Sequence, residues 1–177
     1  KSPTRAIPEA FRGTVAADIA TELNSASHPY GALVVPGLAT PLGLSVAKPR
    51  LVFIPDDPAL RPYQDRFANN VAFLEERHVT PDGTKSFSTA KIFNEMLEDN
   101  DHRPVQVQVL RARLLDIILA DFDRHFDQWR WSKDTRGKGV KYYPVPRDRD
   151  QALFFSDGFL LRLLSGRALP FLKGLQD

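Results

Sequence analysis

Two short runs of this chain hold the residue types that carry out phosphate and metal chemistry. The first is Ala120-Asp121-Phe122-Asp123-Arg124-His125-Phe126-Asp127-Gln128-Trp129, and the second is Pro144-Val145-Pro146-Arg147-Asp148-Arg149-Asp150-Gln151. Together they contain five Asp, three Arg, one His and two Gln. Hard cations such as Mg²⁺ take carboxylate and amide oxygens, usually one or two carboxylates with substrate phosphates completing the shell. Phosphoryl transfer needs those oxygens and a base beside the attacking hydroxyl. The ordinary fate of Asp and Arg in loops is solvation, with weak surface pairing. Three features favour chemistry instead. The first run directly follows the most apolar helical stretch, the two runs bracket a hairpin, and each mixes carboxylates with Arg, His or Gln at short spacing.

The elements that must position these runs are legible around them. A long helix is expected from about 104 to 121, with Val107, Leu110, Leu114, Ile117 and Ile118 as its buried stripe, Leu115 and Leu119 widening it, and Arg111 and Arg113 outside. Trp129-Arg130-Trp131 and Val140-Lys141-Tyr142-Tyr143 read as the two strands of a hairpin. The order is therefore helix, acidic loop, hairpin, acidic loop, and it lets both loops converge. Trp129, Trp131, Tyr142 and Tyr143 are read as core and cross-strand pairs rather than a stacking platform.

Upstream, Phe11, Val15, Ile19 and Leu23 recur every four residues and predict a helix over 8–25. Residues 30–44, interrupted by Pro36, Gly37, Pro41 and Gly43, predict a short broken helix and a turn. Leu51-Val52-Phe53-Ile54 reads as a buried strand, residues 56–66 as a polar loop, and Val71-Ala72-Phe73-Leu74 as a second strand. Thr80-Pro81-Asp82-Gly83-Thr84 is a turn. A helix over 89–98 should turn Ile92, Phe93, Met96 and Leu97 inward, and the tail over 152–175 should pack as one or two helices.

The chain has 177 residues, 42% of them hydrophobic, which suits one domain with a real core. A net charge of +2 with Lys and Arg scattered among acids argues against nucleic acid as a partner. There is no cysteine, so disulfides and thiolate metal sites are excluded. His28, His78 and His102 lack zinc-ligand spacing. No apolar run reaches the roughly 18 residues of a spanning helix. The chain does not begin with Met, and the expectation is an excised piece of a longer protein.

Asp121-x-Asp123-Arg124-His125-x-x-Gln128 resembles the catalytic loop of atypical protein kinases, among them the HipA and secretory-pathway kinases, which carry Asp-Arg-His and then a metal-binding Asn. Pro146-Arg147-Asp148-Arg149-Asp150 resembles the metal-binding segment of the spore-coat CotH kinases. The kinase resemblance covers about residues 104–155. Over most of its length the chain is similar to a domain of Bacteroidota envelope proteins, lying between a metallophosphoesterase and an outer-membrane surface-antigen barrel. The similar stretches are Ser27-His28-Pro29-Tyr30, Pro49-Arg50-Leu51-Val52-Phe53-Ile54-Pro55-Asp56-Asp57, Leu74-Glu75-Glu76-Arg77 and residues 121–154.

This resemblance implies an α+β, mostly helical fold like the C-lobe and part of the N-lobe of an atypical kinase. It implies one kinase-like domain over 1–177, with a partial N-lobe and hinge over 1–80 and a helical C-lobe over 81–177. It implies ATP and Mg²⁺ or Mn²⁺ as cofactors and a phosphate acceptor as partner. Asp123 matches the general base, and Arg124 and His125 match residues that brace the loop. Gln128 matches the metal-binding Asn with one more methylene, Asp148 matches the principal metal ligand, and Asp150 is a second. Glu22, or else Asp18, would stand where the αC-helix acid stands. Glu75 and Glu76 would mark the hinge strand against adenine. The phosphate-binding Gly-rich loop and strand Lys have no match here. The resemblance places the chain in the cell envelope, its parent tethered to the outer membrane, with no transmembrane segment in the chain itself. Two further readings stay open: a non-catalytic, kinase-derived binding module, and a metal-dependent phosphoesterase built on the same aspartates.

Overall fold

A computed structural model of the chain describes residues 13–14, 27–77, 79–81 and 83–155. Most of the helix expected over 8–25, with Asp18 and Glu22, lies outside these residues, as do His78 and the tail beyond Phe155, but the described Gly13 and Thr14 form a turn within it, Gly13 at φ +76°. The described residues form an α+β fold with two small sheets. Helix α1 (Gly31–Ala39) contains Pro36 and passes into one 3₁₀ turn, Thr40–Leu42, closed by Gly43 at φ +70°. Strands β1 (Arg50–Ile54) and β2 (Asn70–Leu74) pair antiparallel. Between them the expected polar loop is instead a 3₁₀ stretch, Pro58–Tyr63, and a short helix α2 (Gln64–Phe67). The Asp57 carboxylate starts it by accepting from the Ala59 amide at 2.7 Å, the local capping that Asp before Pro provides.

The second sheet builds the site. It contains β3 (Phe87–Ser88), β4 (Arg103–Pro104), β5 (Trp129–Asp134) and β6 (Lys141–Pro146), in the order β3-β5-β6-β4. β5 and β6 are the expected hairpin, in register from Trp129 opposite Pro146 to Asp134 opposite Lys141. Helix α3 (Thr89–Glu98) follows β3, and helix α4 (Gln106–Ile118) follows β4, which runs parallel to β6. No described helix is long and apolar enough to cross a membrane.

Two hydrophobic clusters hold the described residues together. One joins Val35 and Ala39 of α1, Leu44, Val46, Ala112 and Leu115 of α4, Leu119 and Ala152. The other joins Ile92, Trp131 and Tyr142, and Trp129 packs against both. The buried face of α4 therefore runs through Ala112, Leu115, Asp116 and Leu119. The expected stripe is corrected: Val107, Leu110, Leu114, Ile117 and Ile118 are all exposed, Ile118 by 71%. A helix apolar on nearly every side offers two candidate faces, and small Ala112 permits the closer approach. In α3, Ile92 is buried as expected, but Phe93 is half exposed and Leu97 is 86% exposed. The strand expected to be buried at 51–54 is also exposed, with Phe53 at 63% and its cross-strand partner Val71 at 62%.

Candidate functional site

Helix α4 ends in a Schellman motif. The Asp121 amide donates to the Asp116 carbonyl at 2.8 Å and the Ala120 amide to the Ile117 carbonyl at 3.1 Å. Ala120 takes the left-handed conformation, φ +49°, that glycine usually occupies there. This turn folds Asp121 back beside Asp116, so two carboxylates five residues apart face one another.

Two arginines sit between and around them. Arg124 donates through Nε to Asp116 at 3.2 Å and through Nη2 to Asp121 at 2.8 Å. Arg149, from the second loop, donates through Nη1 to both Asp116 and Asp121. Arg113 adds a bond to Asp116 from the helix surface. All four central side chains are buried. Burial pushes the Asp121 carboxyl above the usual carboxylate range, against the pull of the Arg124 and Arg149 charges. Burial likewise lowers the Arg124 guanidinium, and the charge of Arg149 lowers it further. Of the four, Asp116 escaped the reading of the sequence. Its signal is position: it lies four residues after Ala112 and three before Leu119, on the face that packs.

The network joins the two acidic runs. Arg124 Nη1 donates to the Arg147 carbonyl, and the Arg147 amide donates to the Gln128 carbonyl at 2.9 Å. The Leu153 amide reaches the Leu119 carbonyl at 2.6 Å, tying the end of the second loop to the end of α4. At Gly31 a Cβ would overlap the Ala152 carbonyl, so the start of α1 closes on this loop only with glycine. Ser27 donates its hydroxyl to Gln151 at 2.8 Å. Asp148 and Leu153 hold left-handed backbones, φ +53° and +62°. With Ala120, three non-glycine left-handed residues flank one region, the clustering expected where the surroundings over-determine a loop.

Asp123 and Gln128 are brought into direct contact: Gln128 Nε2 donates to Asp123 Oδ2 at 3.1 Å, while Gln128 Oε1 accepts from Arg124 at 3.2 Å. Both ends of the amide are engaged, and only this orientation satisfies an acceptor on one side and a donor on the other. Asp123 is half-buried and Gln128 is buried. Arg124 is a brace. His125 is exposed, and its Nδ1 accepts from the Asp127 amide at 3.3 Å, capping the 3₁₀ turn Phe126–Gln128. Asp148 is exposed, and Asp150 is half-buried with an oxygen accepting from Gln151 at 3.3 Å. Among the described residues no three His, Asp or Glu side chains gather closely enough to hold a metal. Glu75 and Glu76 stand exposed just beyond β2.

The aromatic pairs serve packing. Tyr142 is fully buried with its hydroxyl donating to Glu95 at 2.7 Å, and Trp131 donates to the Thr89 hydroxyl at 3.1 Å. Trp129 stacks on Trp131, its face also under the Arg124 guanidinium at 5.9 Å. Comparison of the chain with protein-family models, with curated proteins and with solved structures finds no match.

Proposed function

We propose that the two joined loops form a phosphoryl-transfer site of the atypical-kinase type, with a hydroxyl as acceptor and ATP as donor. The observation that supports it best is the Asp123–Gln128 contact held against the buried Arg124. A general base must be fixed in place and still reach its proton. Asp123 meets this: one oxygen is held by Gln128, and the side chain is only half-buried. Gln128 acts in the proposal as the residue that positions Asp123, because the Arg124 guanidinium occupies the approach to its oxygen. Asp148 and Asp150 are hard oxygen donors on the neighbouring loop, and that donor set fits Mg²⁺ or Mn²⁺, which need only one or two carboxylates. The ion, when bound, supplies charge neutralisation for the phosphates.

The test is transfer from γ-labelled ATP to protein or small hydroxyl acceptors, together with melting temperature against Mg²⁺. Wild type transfers label and melts higher with Mg²⁺ and ATP, since a ligand that binds only the folded state stabilises it by mass action. Asp123→Asn retains the thermal shift and loses transfer by 100-fold or more, on the order of a base's contribution. Asp148→Asn loses the shift and keeps its fold. A wild-type protein that neither shifts nor transfers sinks the enzymatic reading and leaves the binding-module reading in its place.

A further inference from the structure

Arg130 lies on β5 opposite Val145, one step from Trp129 opposite Pro146. Beyond β6, the Arg147 amide continues the pairing by donating to the Gln128 carbonyl at 2.9 Å. Strand side chains alternate, so Arg130 and Val145 share one face of the hairpin, and Arg147, one pair further along that face, continues it. Arg130 and Arg147 are diagonal neighbours on that face, a relation that spans about 7–8 Å between backbones and leaves long side chains within reach. The Arg130 guanidinium is anchored by Ser86, with Nη2 donating to its carbonyl at 2.9 Å and Nε to its hydroxyl at 3.4 Å. Arg77, just past β2, brings a third positive charge. Burial lowers the Arg130 pKa first, and the charge of Arg147 lowers it further, in keeping with their diagonal placement, with Arg77 a weaker positive contribution. Among the described residues, none of the three side chains pairs with a carboxylate. This sets them apart from Arg113, Arg124 and Arg149, each of which is paired.

We propose that Arg130 and Arg147 form a seat for a phosphate-bearing anion on one face of the β5–β6 hairpin, with the charge of Arg77 adding to it. Guanidinium forks match the oxygens of a phosphoryl group in a plane, which a point charge does not. The choice of phosphate over carboxylate rests on the phosphotransfer reading of the neighbouring loops; the anion seat itself does not.

The experiment uses the full chain in low salt with a chelator, so no metal contributes. Titration calorimetry and melting curves are recorded with inorganic pyrophosphate, with ATP, and with malonate as a carboxylate of similar span. Pyrophosphate is expected to bind and raise the melting temperature, with malonate at least 10-fold weaker. Arg147→Met, at an exposed position, should weaken pyrophosphate at least 10-fold while melting as wild type without ligand, and Arg77→Met should weaken it by a smaller factor. Arg130→Lys keeps the charge and loses the fork, and should weaken binding less than Arg130→Met. ATP binding tighter than pyrophosphate assigns the seat to a nucleotide; equal binding assigns it to the phosphate group of another ligand, and either supports the seat. No pyrophosphate binding by wild type, or equal binding by the Met variants, overturns it, and malonate binding as well as pyrophosphate overturns the phosphate class. Loss of label transfer with pyrophosphate binding intact rejects the proposed function alone.

Discussion

At the residue scale, the chain commits two carboxylates and two guanidiniums to its interior. Such a group is costly to desolvate, and its members are held by the bonds each makes to the others. Asp116 is the hub, because Arg113, Arg124 and Arg149 all converge on it from three segments. Asp116→Asn keeps the volume and removes the charge that two buried arginines face. The expected cost is about 3–5 kcal/mol of folding stability, the range for breaking a buried pair from one side. Urea denaturation measures it, and a loss under about 1 kcal/mol would mean that the arginines find other partners. Arg147, by contrast, is exposed and belongs to the loop surface. The same residue type thus plays two parts within three positions, separated by which face of the chain each side chain leaves.

At the element scale, α4 shows how a helix can be found and its buried side misread. Its extent, Gln106–Ile118, follows from the apolar density and from Pro104 before it. The packing face follows from neighbours the sequence does not name: α1 on one side and the loop ending at Ala152 on the other. Leu114 and Leu115 are adjacent and chemically identical, yet Leu114 is 48% exposed and Leu115 only 3%. Leu115→Ala should cost about 2–5 kcal/mol through lost burial and the cavity left behind. Leu114→Ala should cost less than about 1 kcal/mol, as for a surface change. Equal losses would show that the apolar stripe from Val107 to Ile118 is also covered in solution.

At the scale of the whole molecule, the two sheets differ in how they are supported. The β5–β6 hairpin carries Trp131 and Tyr142 into a cluster with Ile92 and is flanked by β3 and β4. Among the described residues the β1–β2 ribbon has two strands, and Leu51, Phe53, Val71 and Phe73 share one exposed face across it. Two-stranded ribbons without a covering layer are marginal. Amide hydrogen exchange should therefore separate them: β1–β2 amides exchange through local opening, while β5–β6 amides approach the protection of global unfolding. Equal protection in the two sheets would show that the ribbon is covered in the protein as it exists in solution.

What the sequence determined by itself is local. The hairpin strands, the helix before them, the turn at Gly43, the turn closed by Gly83 and the two acidic runs all rest on short-range chemistry. They rest on apolar period, glycine's positive φ and the short spacing of charged residues. The tertiary structure decided everything that depends on which surfaces meet. It placed Asp116 at the centre of a charge network, turned Leu115 inward and Leu114 outward, and left Phe53 exposed although its strand reads as buried. It also set Arg130 and Arg147 as diagonal neighbours on one face of the hairpin. The physical reason is common to all of these: periodicity says that a face is apolar, but burial is a property of two surfaces, and the second surface is contributed by residues tens of positions away.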